Sequence, residues 1–171
     1  MEMPLETVLL VIIAGTAVVT DIRSHRISNA LCLFGIGAGF ALHLSGAGFA
    51  TALVQGMGGL LIGAAFLLPL YLLGGMAAGD IKLMAAIGCI VGVPSAVVAA
   101  LYSLTSGALL GLAYMVLRGG LPEIRERYWQ AFSVFIRTFR FALAPPKPGA
   151  VSQSRFPYAV AIAVGSLLAV T

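Results

Sequence analysis

Two of the six carboxylate side chains in this 171-residue chain border long apolar stretches. Asp21 ends the first such stretch, and Asp80 lies in the glycine-rich break Gly74-Gly75-Met76-Ala77-Ala78-Gly79-Asp80-Ile81-Lys82-Leu83-Met84. The other four, Glu2, Glu6, Glu123 and Glu126, occupy terminal or polar contexts. Desolvating a lone carboxylate is costly, so an ionisable group at the edge of an apolar segment is a functional candidate in search of a partner. Two carboxylates facing each other across a few ångströms cannot both ionise cheaply. They share a proton, and can act as general base and general acid on a water molecule attacking a peptide carbonyl, the chemistry of aspartic proteases. Helix dipoles suggest roles: Asp80 at a helix N-terminus is favoured as the anion and Asp21 at a helix C-terminus as the neutral acid, within a pair that titrates as a unit. Each aspartate also has a purely structural reading. Asp80 is then the N-cap of a helix, and Asp21 a headgroup-region residue paired with Arg23 or Arg26.

The elements that must position this pair belong to a membrane protein. Hydrophobic residues make up 60% of the chain and charged residues 9%, against roughly 25% charged in soluble domains, and the mean hydropathy is +1.05. A net charge of +4 and a pI near 9.4 do not indicate nucleic acid, because the basic residues are scattered through loops with no aromatic-basic stripe. Cys32 and Cys89 both fall inside apolar segments, away from any paired-cysteine motif, and read as buried free thiols, not as zinc ligands or a disulfide. The start Met1-Glu2-Met3-Pro4 lacks the basic region of a cleavable signal, so the first apolar stretch is expected to be retained as a helix.

Apolar runs near 4–20, 29–49, 51–74, 81–93, 95–117 and 156–171 give about six transmembrane helices, an all-α polytopic fold forming a single domain over 1–171. The fourth run is short: thirteen residues span about 20 Å of a hydrocarbon core roughly 30 Å thick, which also suits a re-entrant hairpin. Charge placement favours six crossings. With the N-terminus outside, all ten basic residues fall on the cytoplasmic side, whereas a re-entrant fourth segment would move the seven between 118 and 155 outside. The same topology puts Asp21 and Asp80 on the cytoplasmic face, and packing the first helix beside the fourth would join them across 59 residues of sequence.

Within the long cytoplasmic segment, Ile124, Tyr128, Ala131, Phe132, Phe135, Phe139 and Leu143 recur at helical spacing opposite a charged face. This predicts an amphipathic helix over 122–143, lying either in the headgroups or on the protein's own cytoplasmic face. Pro145-Pro146-Lys147-Pro148-Gly149 then forms a semi-rigid linker into the last span. Five glycine pairs at four-residue spacing, among them Gly35/Gly39, Gly59/Gly63 and Gly107/Gly111, are read as tight packing within the chain.

The stretches Asp21-Ile22-Arg23-Ser24-His25-Arg26-Ile27-Ser28-Asn29 and Ala78-Gly79-Asp80-Ile81-Lys82-Leu83-Met84 resemble the two aspartate motifs of the type IV prepilin peptidases, which are Gly-x-Gly-Asp intramembrane aspartyl proteases. The resemblance extends to segment number and spacing, and Phe156-Pro157-Tyr158 before the last span is also similar. It implies six transmembrane helices, catalytic Asp21 and Asp80, and cleavage of the basic leader of prepilin-like substrates at the cytoplasmic face of the bacterial inner membrane. Two positions depart from the pattern: Ala77 replaces the first glycine of Gly-x-Gly-Asp, and Ser28 replaces a proline. Serine can still cap the second helix. A cytoplasmic domain with paired cysteines, which accompanies methyltransferase activity in longer relatives, has no place here. The chain therefore resembles the short form associated with tight-adherence pili, and proteolysis without methylation is expected.

Around the pair, Gly79 allows backbone to approach backbone. Lys82 is either a contact for Asp80 or substrate or a headgroup anchor, and Asn29 either orients a carboxylate or caps a helix. His25 is an aid to protonation or a solvated loop residue. His43 and Gln55 flank the outer loop and are assigned no role. No cofactor is expected, since two carboxylates make a poor metal site. Two other classes compete: a small proton- or cation-coupled transporter, which would need an aqueous path past an outer half whose spans hold no ionisable residue but His43, and a non-catalytic pilus or secretion assembly subunit. The expected partners are a prepilin-like protein and the lipid bilayer.

Overall fold

The computed structural model describes residues 4–73, 75–119, 129 and 158–170. Among them every regular element is helical: α1 (Leu5–Ser24), α2 (Asn29–Thr51), a π-helical turn (Ala52–Met57), α3 (Gly58–Leu72), α4 (Ala78–Leu117) and α5 (Tyr158–Leu168). Four stretches, Leu5–Ser24, Asn29–Gly46, Gly48–Leu72 and Ala78–Leu117, are long and apolar enough to cross a bilayer, and Tyr158–Leu168 is a shorter apolar helix. The amphipathic helix expected over 122–143 lies outside the described residues, apart from Trp129.

Two of these helices are bent back on themselves. In α4, Gly92 adopts φ 77° and ψ 174°, a left-handed backbone that residues with a Cβ avoid. Ser103 Oγ donates to Met84 Sδ at 3.9 Å although the two are 19 residues apart. On a straight helix they would be separated by about 28 Å, so residues 78–91 and 93–108 form two antiparallel arms. Pro94 falls in the first turn after the break, where its missing N–H costs nothing. The same conformation recurs in α2 at Gly48, with φ 84° and ψ 176°, and there Phe40 stacks edge-on against Phe49 at 6.5 Å between ring centroids. The breaks lie near the boundaries expected between the second and third and between the fourth and fifth apolar runs.

The 78–91 arm is the centre of the bundle. Every residue from Leu83 to Ile90 is buried, and the neighbours reach it through glycines. A Cβ on Gly59 would collide with the carbonyl of Gly88, one on Gly63 with the carbonyl of Met84, and one on Gly39 with the Cys89–Ile90 peptide. Gly35 faces Ile13 and Ala86, and on the far side Ala96 lies against Gly88. Helices in lipid gain nothing from burying apolar surface against one another, so close van der Waals approach through small residues holds them together. The shortness of this arm is thereby accommodated, because its surroundings are protein on all these sides.

The chain divides into two compact units, Met1–Ala108 with Pro157–Thr171, and Leu109–Phe156. Within the described part of the second, the Arg118 guanidinium lies 5.2 Å from the centre of the Tyr114 ring, a basic-aromatic pair of the kind that anchors helix ends at a membrane surface. In the first unit, Gly88→Ala should lose roughly 1–3 kcal/mol by forcing the Gly59 contact apart, and Gly92→Ala about 1–2 kcal/mol through its backbone conformation. Gly37→Ala, whose Cβ would enter open space, should leave the unfolding midpoint in detergent unchanged or slightly raised.

Candidate active site

The end of the first unit opposite the Gly48 and Gly92 breaks gathers the end of α1, the starts of α2 and α4 and the start of α5. Asp80 is the third residue of α4, and its Oδ2 accepts from the amide of Ala77 at 3.0 Å, while its own N–H donates to the Ala77 carbonyl at 3.1 Å. This is one half of a capping box, with the side chain inside the first turn reaching back to the residue before the helix. Asp80 is thus not the N-cap itself, though it does serve the helix start, and its carboxyl is buried, with 5% of its surface exposed.

Asp21 lies three residues before the end of α1 and is 8% exposed. Its Oδ2 accepts from the amide of Ala159 at 3.2 Å, one of the N–H groups that the first turn of α5 leaves without a helical partner. Pairing with Arg23 or Arg26 is not what satisfies it; both arginines are exposed. The dipole argument that separated the roles of the two aspartates therefore loses its basis. Asp21 closes its own helix but meets the N-terminus of another, so each carboxylate sits at a positive helix end. Among the described residues the second oxygen of each accepts no hydrogen bond.

The two carboxyls are within electrostatic reach of each other, and the phenol of Tyr158 is within reach of Asp80. Tyr158 donates to the Ser103 carbonyl at 3.3 Å, and its ring fills the space that a Cβ on Gly107 would occupy. Ser106 Oγ donates to the Ala161 carbonyl at 3.1 Å, and Gly165 brings its backbone against Ser103. These contacts seat α5 on the 93–108 arm and so aim the Ala159 amide at Asp21. Gly107 of the Gly107/Gly111 pair does pack tightly; Gly111 has no neighbour within 4 Å of its Cβ position among the described residues.

The flanking residues are placed as follows. Lys82 Nζ donates to Asn29 Oδ1 at 3.0 Å, tying the start of α4 to the start of α2; Lys82 does not bond Asp80, and Asn29 does not bond either carboxylate. Gly79 packs against Ile27, since a Cβ there would lie 3.3 Å from Ile27 Cβ, so its close approach is to the α1–α2 connection. Ser28 precedes α2 but makes no side-chain capping bond. His25 ends α1 in the left-handed conformation, φ 49°, and donates its amide to the Asp21 carbonyl at 2.8 Å, a position that glycine commonly takes. Backbone amides at 77 and 159 are the partners that sequence reading missed. Only the start of the last apolar run, placed at 156, lay near the second.

A model of the type IV leader peptidase family matches residues 8–112, a stretch that holds both aspartates. The chain belongs to the type IV leader peptidase family. It is by that membership an aspartic-type peptidase with several apolar helices. No curated protein and no solved structure matches it.

Within this peptidase the departure at Ala77 brings no backbone strain among the described residues. Among the described residues His25 alone has a positive φ without being glycine, so Ala77 has ordinary backbone geometry, and its methyl is exposed. Ala77→Gly should shift stability by less than about 1 kcal/mol and leave peptidase turnover unraised, as measured by detergent unfolding and by cleavage of a substrate precursor.

Proposed function

We propose that the chain is an intramembrane aspartic endopeptidase that removes the leader of prepilin-like precursors at the cytoplasmic face of the bacterial inner membrane, with Asp21 and Asp80 as the catalytic pair. The observation that carries this reading is the placing of two buried carboxyls from different helices within electrostatic reach, each held by one backbone amide. One oxygen of each is thus engaged in orientation, and the other, which has no hydrogen-bond partner among the described residues, is the one assigned to the chemistry.

In the proposed reaction one carboxylate takes a proton from water as the water oxygen attacks the scissile carbonyl carbon, and the protonated partner donates to the carbonyl oxygen. The tetrahedral gem-diol collapses when the first carboxyl, now protonated, gives its proton to the leaving nitrogen and the second, now a carboxylate, takes one from a gem-diol hydroxyl; the C–N bond breaks, the new carboxyl C=O forms, and the pair returns to its starting state. Which aspartate begins as the base is a property of the coupled pair.

Six crossings with an outside N-terminus are part of the same proposal, with the α2 and α4 bends on the outer side and the aspartates on the inner. The prepilin's apolar helix lies in the bilayer and its leader reaches the pair from the cytoplasmic surface. There the exposed Lys82–Asn29 pair borders its path. Proteolysis proceeds without methylation, since the chain's two cysteines, Cys32 and Cys89, are separately buried and offer no paired metal-binding motif.

Co-expression with a candidate prepilin tests the pair. Asp21→Asn and Asp80→Asn should each abolish leader removal, a loss of at least about 10³-fold, at normal membrane abundance. Persistent cleavage in either variant rejects the assignment.

A further inference from the structure

The break at Gly92 poses a problem that the two residues left without a role, His43 and Gln55, resolve. Stopping a helix at Gly92 strips carbonyls before it and amides after it of their helical partners, and in an apolar bundle no water replaces them. Gln55 Oε1 accepts from the amide of Val93 at 3.0 Å. His43 Nε2 lies 3.1 Å from the Cys89 carbonyl; a carbonyl can only accept, so Nε2 carries the proton and donates. Both side chains close directly over the bend, since a Cβ on Gly92 would sit 3.0 Å from Gln55 Oε1 and 3.5 Å from His43 Cε1.

The element that supplies Gln55 is itself irregular. The π-helical turn Ala52–Met57 inserts extra backbone into the ascent to α3, which changes the register of Gln55 relative to a continuous helix; such turns concentrate at functional positions. Cys89 Sγ donates to the Ile36 carbonyl at 3.4 Å, so α2, the π-turn and the 78–91 arm are tied at one level.

That arm carries Asp80 at its other end and has few polar ties of its own along the buried stretch between. Leu83, Met84, Ile87 and Ile90 pack this arm into the core, but on the faces where glycine lies against backbone fewer side chains interlock, so polar ties at the arm's end add to what fixes its depth and rotation. We infer that His43 and Gln55 are positioning residues for catalysis: by fixing the Gly92 end of the 78–91 arm they set its depth and rotation, and thereby the placement of Asp80 opposite Asp21. The inference rests on the proposed catalytic pair for its consequence in turnover, and on geometry alone for its consequence in structure.

The test compares Gln55→Leu, which removes the acceptor, with Gln55→Glu, which keeps an oxygen there, and His43→Leu with His43→Gln, which keeps an N–H donor. Two readouts are taken on the full chain in membranes: cleavage kinetics per folded molecule, and the distance between spin labels at Arg23→Cys and Ala78→Cys, exposed positions beside the two aspartates. In the leucine variants kcat should fall by roughly tenfold with KM within about twofold, and the label distance should shift or broaden; the glutamate and glutamine variants should restore both. Unchanged kcat and label distance in either leucine variant overturns the inference. So does a loss of activity that only tracks lost membrane abundance, and so does failure of both conservative variants to rescue. If Asp21→Asn and Asp80→Asn retain activity, the catalytic reading fails by itself, and the label distance still decides whether the clamp holds the arm.

Discussion

A helix that ends inside an apolar bundle leaves backbone amides and carbonyls with no water to bond, and each such group must be answered from within the protein. Several polar side chains of the first unit meet this demand. Asp80 answers the amide before α4, Asp21 an amide at the start of α5, Gln55 the amide after the Gly92 break and His43 a carbonyl before it. Lys82 and Asn29 join two helix starts at the exposed end. The aspartates are therefore structural and, in the proposed function, catalytic through the same bonds. The amide that caps a helix also fixes the carboxyl in place, and a fixed carboxyl is what general acid-base chemistry at a peptide bond requires.

The second constraint is closeness. The central arm meets its neighbours at Gly39, Gly59, Gly63 and Gly88, where backbone lies on backbone and any added methyl would have to displace it. This arrangement brings α1, the central arm and α5 near enough for two carboxyls separated by 59 residues of sequence to feel each other. It also lets a helix of fourteen residues serve as the core, because protein and not lipid surrounds it.

Much of this was legible from composition and spacing. The all-helical, apolar character came through because lipid demands uninterrupted hydrophobicity, four stretches among the described residues being long enough to cross a bilayer, and the breaks at Gly48 and Gly92 fall close to where adjacent runs were separated. Asp21 and Asp80 stood out because carboxylates beside apolar segments are rare. The partners of those carboxylates were invisible, since a backbone amide has no letter: Ala77 and Ala159 look like any other alanine. Gln55 and His43 escaped for a related reason, as the groups they satisfy exist only once the helix is broken at Gly92. The roles drawn from each aspartate's own helix failed because the dipole that matters for Asp21 belongs to α5, which follows it by more than a hundred residues.

The central claim is that Asp21 and Asp80 form one site that recognises a peptide bond in the act of being hydrolysed. Its most direct measurement is the binding of a substrate peptide whose scissile bond is replaced by a hydroxyl-bearing tetrahedral mimic. The account predicts that wild-type protein binds the mimic at least about 100-fold more tightly than the uncleaved peptide, and that Asp21→Asn and Asp80→Asn each remove that advantage while leaving peptide binding unchanged. Equal binding of mimic and peptide by the wild type, or retention of the advantage in either variant, would contradict it.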